Sequence, residues 1–171
     1  MHKLVQGIEE SGQTFRANAC LKASHYARQF RTWALADDSG LSVDALSGKP
    51  GVYSARWAEM QDAGEGDAAN NALLLKQIEH LADAQRSARF ICVLALADDA
   101  GRIILTAQDS VEGKILHEPR GMNGFGYDPL FLVPELGKTT AELLPAEKHA
   151  VSHRGKALRR LKSLMEQVEL I

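Results

Sequence analysis

The stretch Trp33-Ala34-Leu35-Ala36-Asp37-Asp38-Ser39-Gly40 decides how the chain is read. Trp33 to Ala36 is a short apolar run of the kind that fills a buried strand, and it stops abruptly at two adjacent carboxylates. The expectation is a strand that delivers Asp37 and Asp38 at its C-terminal edge, where α/β sheets commonly hold ligands. On an extended strand the two side chains face opposite sides, whereas at a strand end both can bend toward one cleft. A pair of carboxylates at such an edge suits Mg²⁺, a hard cation that takes carboxylate oxygens and keeps waters for phosphate chemistry. The competing reading is a plain Asp-Asp-Ser-Gly turn, of the sort that Asp98-Asp99-Ala100-Gly101 makes elsewhere in the chain.

Upstream of this stretch, Phe15, Ala19, Tyr26 and Phe30 recur at helical spacing, which predicts a helix over Thr14 to Arg31 with Thr14 as N-cap. Lys22 falls in the same arc, with Asn18 beside it, so a lysine points inward. A lysine is rarely buried unless paired, and Lys22 should meet a carboxylate or an anionic ligand unless its stem snorkels to the surface. Glu9-Glu10 by itself reads as a solvated charge pair.

Downstream, Gly48 to Gly51 and Ala63 to Gly66 are breaks, the second preceding a helix that Asp67 caps and that runs to about Leu81 through Leu74 and Ile78. Ala88 to Ala97 and Arg102 to Ala107 read as a hairpin, with Val111 to Leu116 a further strand. Glu118 to Pro129 is loop chemistry. Within it Gly121 to Asp128 interleaves glycines with Phe125 and Tyr127, so backbone N–H groups can approach a phosphate while a ring stacks on a base; alternatively Phe125 plugs the core. The last helix opens at Ser152, with the stripe Ala157, Leu158, Leu161, Leu164, Met165 and Val168. Its start, Ser152-His153-Arg154 with Lys148 just upstream, is a helix N-terminus that favours an anion or an electron-rich carbonyl. The plainer reading is a capping serine followed by solvated bases, although bases ordinarily favour the opposite helix end.

With 171 residues, 45% of them hydrophobic and 25% charged, the chain fits one globular domain or two tightly joined lobes with a sizeable core. A formal net charge of −2 offers no general field for nucleic acid or an anionic membrane, so neither is expected as a partner. Cys20 and Cys92 lack metal-site spacing and read as buried free thiols of a reducing cytoplasm. Met1 to Gln13 has no apolar core like that of a signal peptide, and the longest apolar run, Phe90 to Ala97, is too short to span a bilayer.

Taken in order, five groups of residues resemble the inosine triphosphate pyrophosphatase family. They are Glu10-Ser11-Gly12-Gln13-Thr14-Phe15 with Asn18 and Lys22; Ala36-Asp37-Asp38-Ser39-Gly40-Leu41; Pro50-Gly51-Val52-Tyr53-Ser54-Ala55-Arg56; Gly124-Phe125-Gly126-Tyr127-Asp128-Pro129; and Ser152-His153-Arg154. The resemblance implies an α/β fold with an elongated mixed β-sheet flanked by helices, two lobes around a nucleotide cleft, and a homodimer. It implies Mg²⁺-dependent hydrolysis of non-canonical purine nucleoside triphosphates (ITP, dITP, XTP) to monophosphate and pyrophosphate. Carried over by position, Asp38 is the catalytic base and a metal ligand, Glu10 and Asp37 complete the Mg²⁺ site, and Lys22 contacts the phosphates. Ser39 touches the nucleotide, Phe125 stacks on the base, Gly126, Tyr127 and Asp128 complete that wall, and Lys148, His153 and Arg154 surround the purine edge.

Members of that family open with a strand leading into a Ser/Thr-x-Asn-x-x-Lys loop and a helix, a motif that Met1 to Ile8 (MHKLVQGI) does not contain. The rival expectation is therefore a catalytically impaired nucleotide-binding or oligomeric remnant, with a sheet edge that another chain can cover.

Overall fold

The computed structural model describes residues 7–170 of the chain; Met1 to Gln6, and with them most of the segment that departs from the family pattern, lie outside the described residues. In chain order the main elements are α1 (Phe15–Phe30), β1 (Ala34–Val43), α2 (Gly66–Gln77), β2 (Ser87–Ala97), β3 (Ile103–Ile115), β4 (Phe131–Val133), β5 (Lys138–Thr139), α3 (Pro145–Val151) and α4 (His153–Gln167). The strands form one sheet in the order β1-β2-β3-β4-β5. The fold is α/β as expected, but every ladder among the described residues is antiparallel, where a mixed sheet was anticipated.

Strand β1 does not stop at Ala36. It continues through both aspartates to Val43, paired with β2 from Ala34↔Ala97 to Val43↔Ala88. That ladder satisfies the backbone groups an Asp-Asp-Ser-Gly turn would have satisfied locally, so tertiary pairing overrides turn propensity. The aspartates therefore lie in mid-strand rather than at its end. Gly40 has a packing reason: a Cβ there would meet the Gly51 carbonyl oxygen and the Ser54 hydroxyl, each at 2.5 Å. Likewise the pieces expected at Arg102–Ala107 and Val111–Leu116 are one strand, because Gln108, Asp109 and Ser110 continue the ladder opposite Val93, Cys92 and Ile91.

Helix α1 is capped by Thr14, whose Oγ accepts from the Ala17 N–H at 3.1 Å. Its buried stripe is Asn18, Ala19, Ala23 and Ala27. Tyr26 and Phe30, expected on that stripe, instead stack on each other at 6.4 Å, with Phe30 half exposed. Small alanines bring the helix close to Val93, Ala95 and Ala97 of the sheet. On the opposite face α4 packs Ala157 and Leu161 against Cys92, Leu94 and Ala107.

Farther along the same strands a second core joins Leu41, Val43, Phe90, Val111 and Ile115 to Leu74 and Ile78 and to Tyr127, Leu130 and Phe131. Each fully buried Leu or Ile there contributes about 1.5–3 kcal/mol of transfer free energy. Long strands thus run through two lobes. Helix α2 ends at Gln77, short of Leu81, and its N-cap is Glu65, so Asp67 sits in its first turn. Helix α3, absent from the sequence reading, ends at Ser152, which also caps α4 by accepting from the Gly155 N–H at 3.1 Å.

Candidate active site

Between the lobes lies a cleft of about 610 Å³. Every residue to which the resemblance gives a site role lines it: Glu10, Lys22, Asp37, Asp38, Ser39, Phe125, Gly126, Tyr127, Asp128, Lys148, His153 and Arg154.

At one end α1 presents Lys22 to two carboxylates. Its Nζ donates to Glu10 Oε1 at 2.9 Å and to Asp38 Oδ1 at 2.7 Å. Asn18, one helical turn earlier, donates to Asp38 Oδ2 at 3.3 Å and accepts from the Gly12 N–H at 2.8 Å, so it ties the 10–14 segment to β1. The inward lysine is therefore paired, and Glu10 is part of the site rather than a solvated charge. Burial lowers the proton affinity of Lys22, but the hydrogen bonds and charges of Asp38 and Glu10 outweigh it and raise its pKa. Burial also dominates at Asp38, whose pKa is raised although Lys22 pulls it down.

Asp37 is elsewhere. One residue along the strand, it faces α4, and its Oδ2 accepts from Arg154 Nε at 3.0 Å, Arg154 Nη2 at 2.7 Å and Ser39 Oγ at 3.1 Å. Burial alone would raise its pKa; the Arg154 guanidinium holds it below the usual carboxylate value. His153 lies flat against Phe90, with ring centroids 5.0 Å apart, and desolvation reinforced by Arg154 lowers its pKa to about 4. The imidazole is neutral at physiological pH.

The glycine loop builds the remaining wall. Phe125 is 66% exposed, so it is no core plug, and Lys148 Nζ lies 5.2 Å from its ring centroid. Asp128 holds the loop together: it accepts from the Phe125 N–H at 2.8 Å, from Thr140 Oγ1 at 2.8 Å and from Lys148 Nζ. A Cβ on Gly124, whose φ is 79°, would overlap the Asp128 carboxylate. Tyr127 is buried and its hydroxyl donates to the Ser54 carbonyl at 3.0 Å. Burial pushes its pKa up, which keeps it neutral.

Two features were missed or misread in the sequence. Asp67, expected as a helix cap, accepts from the Gly126 N–H at 2.6 Å, and Asn71 one turn later donates to the Gly126 carbonyl at 2.9 Å. With the Phe125 and Gly126 N–H groups taken by carboxylates, the loop presents an aromatic face and not a phosphate-binding backbone. Arg56 also lines the cleft, its guanidinium 5.5 Å from the Tyr53 ring centroid; its basic type at the end of a quoted motif was the available signal.

Among the described residues no group of three or more His, Cys, Asp and Glu is placed to hold a metal. Two carboxylates converging on one ammonium nevertheless suit Mg²⁺, which takes one or two protein carboxylates and fills its octahedron with waters and substrate phosphates. Glu10 and Asp38, which both meet Lys22 Nζ, are the two carboxylates that would hold such an ion.

A sheet whose cleft is anionic and lysine-bearing at one end, aromatic and cationic at the other, defines an α/β protein built to hold a phosphorylated planar ligand. The chain matches the Ham1 family over residues 1–164 and belongs to it. It is 52% identical over 157 residues to the dITP/XTP pyrophosphatase of Exiguobacterium sibiricum, covering 92% of this chain and 77% of that relative. It is 53% identical over 157 residues to the dITP/XTP pyrophosphatase of Pseudomonas aeruginosa, covering 90% and 77%. Among solved structures, a HAM1 protein from Coxiella burnetii superposes with a TM-score of 0.85 at 46% identity, covering 95% of this chain and 82% of that one. The Staphylococcus aureus Ham1 protein does so with a TM-score of 0.84 at 40% identity, covering 95% and 81%. No described helix is long and apolar enough to cross a membrane.

Proposed function

We propose that this chain is a Mg²⁺-dependent nucleoside triphosphate pyrophosphohydrolase that converts ITP, dITP and XTP to the monophosphate and pyrophosphate. The observation that carries the reading is one cleft in which Lys22 contacts both Glu10 and Asp38 at one end while Phe125, Lys148, His153 and Arg154 gather at the other. The relatives' activity points the same way.

Lys22 and Arg56 neutralise the triphosphate. Glu10 and Asp38 would hold Mg²⁺, which would supply further positive charge to the phosphoryl oxygens. Asp38 orients a water and takes its proton as the oxygen attacks the α-phosphorus; the bond from that phosphorus to the bridging oxygen breaks, and pyrophosphate leaves. Burial aids this step because it raises the proton affinity of the carboxylate. At the other end Phe125 stacks on the base, with Gly126, Tyr127 and Asp128 holding that wall and Ser39 beside the nucleotide. Lys148 and Arg154 donate to a 6-oxo group, and neutral His153 flanks the purine edge. Neither cation can accept from the 6-amino group of adenine, so ATP leaves buried donors unpaired.

The cytoplasm and a homodimer complete the reading. The half-exposed Phe30, Trp33 and Leu35 near the start of β1, an edge strand of the described sheet, support self-association.

The test is pyrophosphate release from ITP, XTP, GTP and ATP at saturating Mg²⁺, with ITP and XTP expected at least about a hundredfold ahead of ATP in kcat/KM. Equal rates on ATP, or no release at all, would overturn the reading. ITP binding without turnover would mark an impaired nucleotide-binding protein, with an N-terminally extended chain as the comparison.

A further inference from the structure

We propose that Asp37 is not a metal ligand but the residue that positions Arg154 for recognition of the base. This assignment rests on the purine-nucleotide reading above. In the β1–β2 register Asp38 stands opposite Val93, on the face covered by α1, whereas Asp37 stands opposite Leu94, on the face covered by α4. Lys22 accordingly meets Asp38 and Glu10, while Asp37 meets Arg154.

The contact is specific in geometry. One carboxylate oxygen accepts from both Nε and Nη2 of Arg154, at 3.0 and 2.7 Å, and from Ser39 Oγ at 3.1 Å. A guanidinium is planar, so anchoring Nε and Nη2 fixes the orientation of the whole fork and leaves the Nη1 hydrogens as pre-placed donors. Ser39 in turn holds the carboxylate. The same contact takes up Oδ2 of Asp37, which otherwise lines the cleft as an acceptor available to the amino group of adenine.

The opposite wall repeats the device, for Asp128 accepts from Lys148 Nζ. Each acid is paired through one carboxylate oxygen with the cation it orients, and those cations bring donors to the purine edge. A 6-oxo purine, or a 2,6-dioxo purine such as xanthine, matches that wall, and a 6-aminopurine does not. Arg154 without its carboxylate would sample other rotamers and lose much of this preference, whatever charge it retains.

The experiment compares wild type, Asp37→Ala, Asp37→Asn, Arg154→Ala and the Asp37→Ala/Arg154→Ala double variant. Calorimetric binding of IMP and AMP without metal is measured beside turnover of ITP and ATP across a Mg²⁺ titration. Asp37→Ala is expected to narrow the IMP-over-AMP preference at least about tenfold, mainly by weakening IMP. Its Mg²⁺ half-saturation should stay within about twofold of wild type, since the carboxylates suited to the ion are Glu10 and Asp38. Asp37→Asn, which keeps an acceptor, should recover part of the preference, and the double variant should be no worse than Arg154→Ala.

A severalfold rise in Mg²⁺ half-saturation with the IMP-over-AMP preference intact would make Asp37 a metal ligand and overturn the proposal. So would independent, additive losses in the double variant, or an unchanged preference in both Asp37 variants while Arg154→Ala loses it. If wild type prefers IMP but releases no pyrophosphate from ITP, the hydrolase reading fails while the Asp37 assignment stands or falls on the binding series.

Discussion

Replacing Asp38 with Asn separates the chemistry of the cleft from its architecture. Two donors meet the carboxylate: Lys22 Nζ at 2.7 Å on Oδ1 and Asn18 Nδ2 at 3.3 Å on Oδ2. An amide can keep only one of them. If its oxygen faces Lys22, its NH₂ faces the Asn18 NH₂, and Asn18 cannot flip because its oxygen already accepts from the Gly12 N–H. Two apposed buried donors cost about 1–3 kcal/mol. Lys22 retains Glu10, so no buried charge is stranded, and a domain with a usual stability of about 5–15 kcal/mol remains folded. The catalytic loss is larger. A positioned general base contributes about 10²–10⁴ in rate, and the metal site loses a negative charge at the same position, so turnover of ITP should fall at least about a hundredfold. The assay is pyrophosphate release at saturating ITP and Mg²⁺, with urea denaturation of the same preparations. Near-native turnover would remove Asp38 from the chemistry. Turnover restored in full by more Mg²⁺ would reduce its role to metal affinity.

Phe125→Ala should raise the ITP KM by about 5- to 150-fold, the equivalent of about 1–3 kcal/mol of base stacking, without changing the urea midpoint, because the ring is 66% exposed; a lowered midpoint with unchanged KM would make it a structural residue. His153 protonates at about 4 in the fold against 6.5 when unperturbed, so between these values the unfolded chain binds more protons and stability falls as pH drops. From pH 8 to pH 5 this one group should cost about 2 kcal/mol, read as the part of the urea-midpoint slope that His153→Gln removes; an equal slope in that variant would refute the shift. Chelating Mg²⁺ with EDTA should abolish turnover of ITP while leaving IMP binding within about threefold, since the base wall holds no proposed metal ligand; metal-independent turnover would contradict the site.

Much of the cleft was legible because its residues carry short-range signatures. Thr14 announced the helix that bears Lys22, and an inward lysine demands a partner whatever the tertiary context. Gly124 and Phe125 belong to a stretch with too many glycines to be a strand. The strands were harder. Asp37 to Gly40 has local turn chemistry, and only the ladder to β2, whose partner residues lie more than fifty positions away, makes it a strand. Polar Gln108 to Ser110 broke the apolar pattern of β3 for the same reason: a ladder satisfies backbone groups regardless of side-chain polarity. Helix α3 is only Pro145–Val151, too short for apolar periodicity to register, and the role of Asp67 depends on a loop residue, Gly126, that is distant in sequence.

The same strand geometry explains why two adjacent aspartates are useful. An alternating strand sends neighbouring side chains to opposite faces, and here each face carries a different helix, α1 with Lys22 and α4 with Arg154. One step along β1 therefore separates a carboxylate suited to phosphate chemistry from one suited to reading the base, while the peptide bond holds their spacing constant. A turn at this position would have brought both carboxylates to one side, where like charges would raise one of the two pKa values and leave Arg154 without its anchor. The extended backbone instead gives the two neighbours opposite electrostatic settings: Asp38 is shifted up by burial and Asp37 down by its guanidinium. Gly40 completes the arrangement, since a side chain there would push back the Gly51–Ser54 turn that packs against the strand and, through Ser54, supports Tyr127 beneath the base wall.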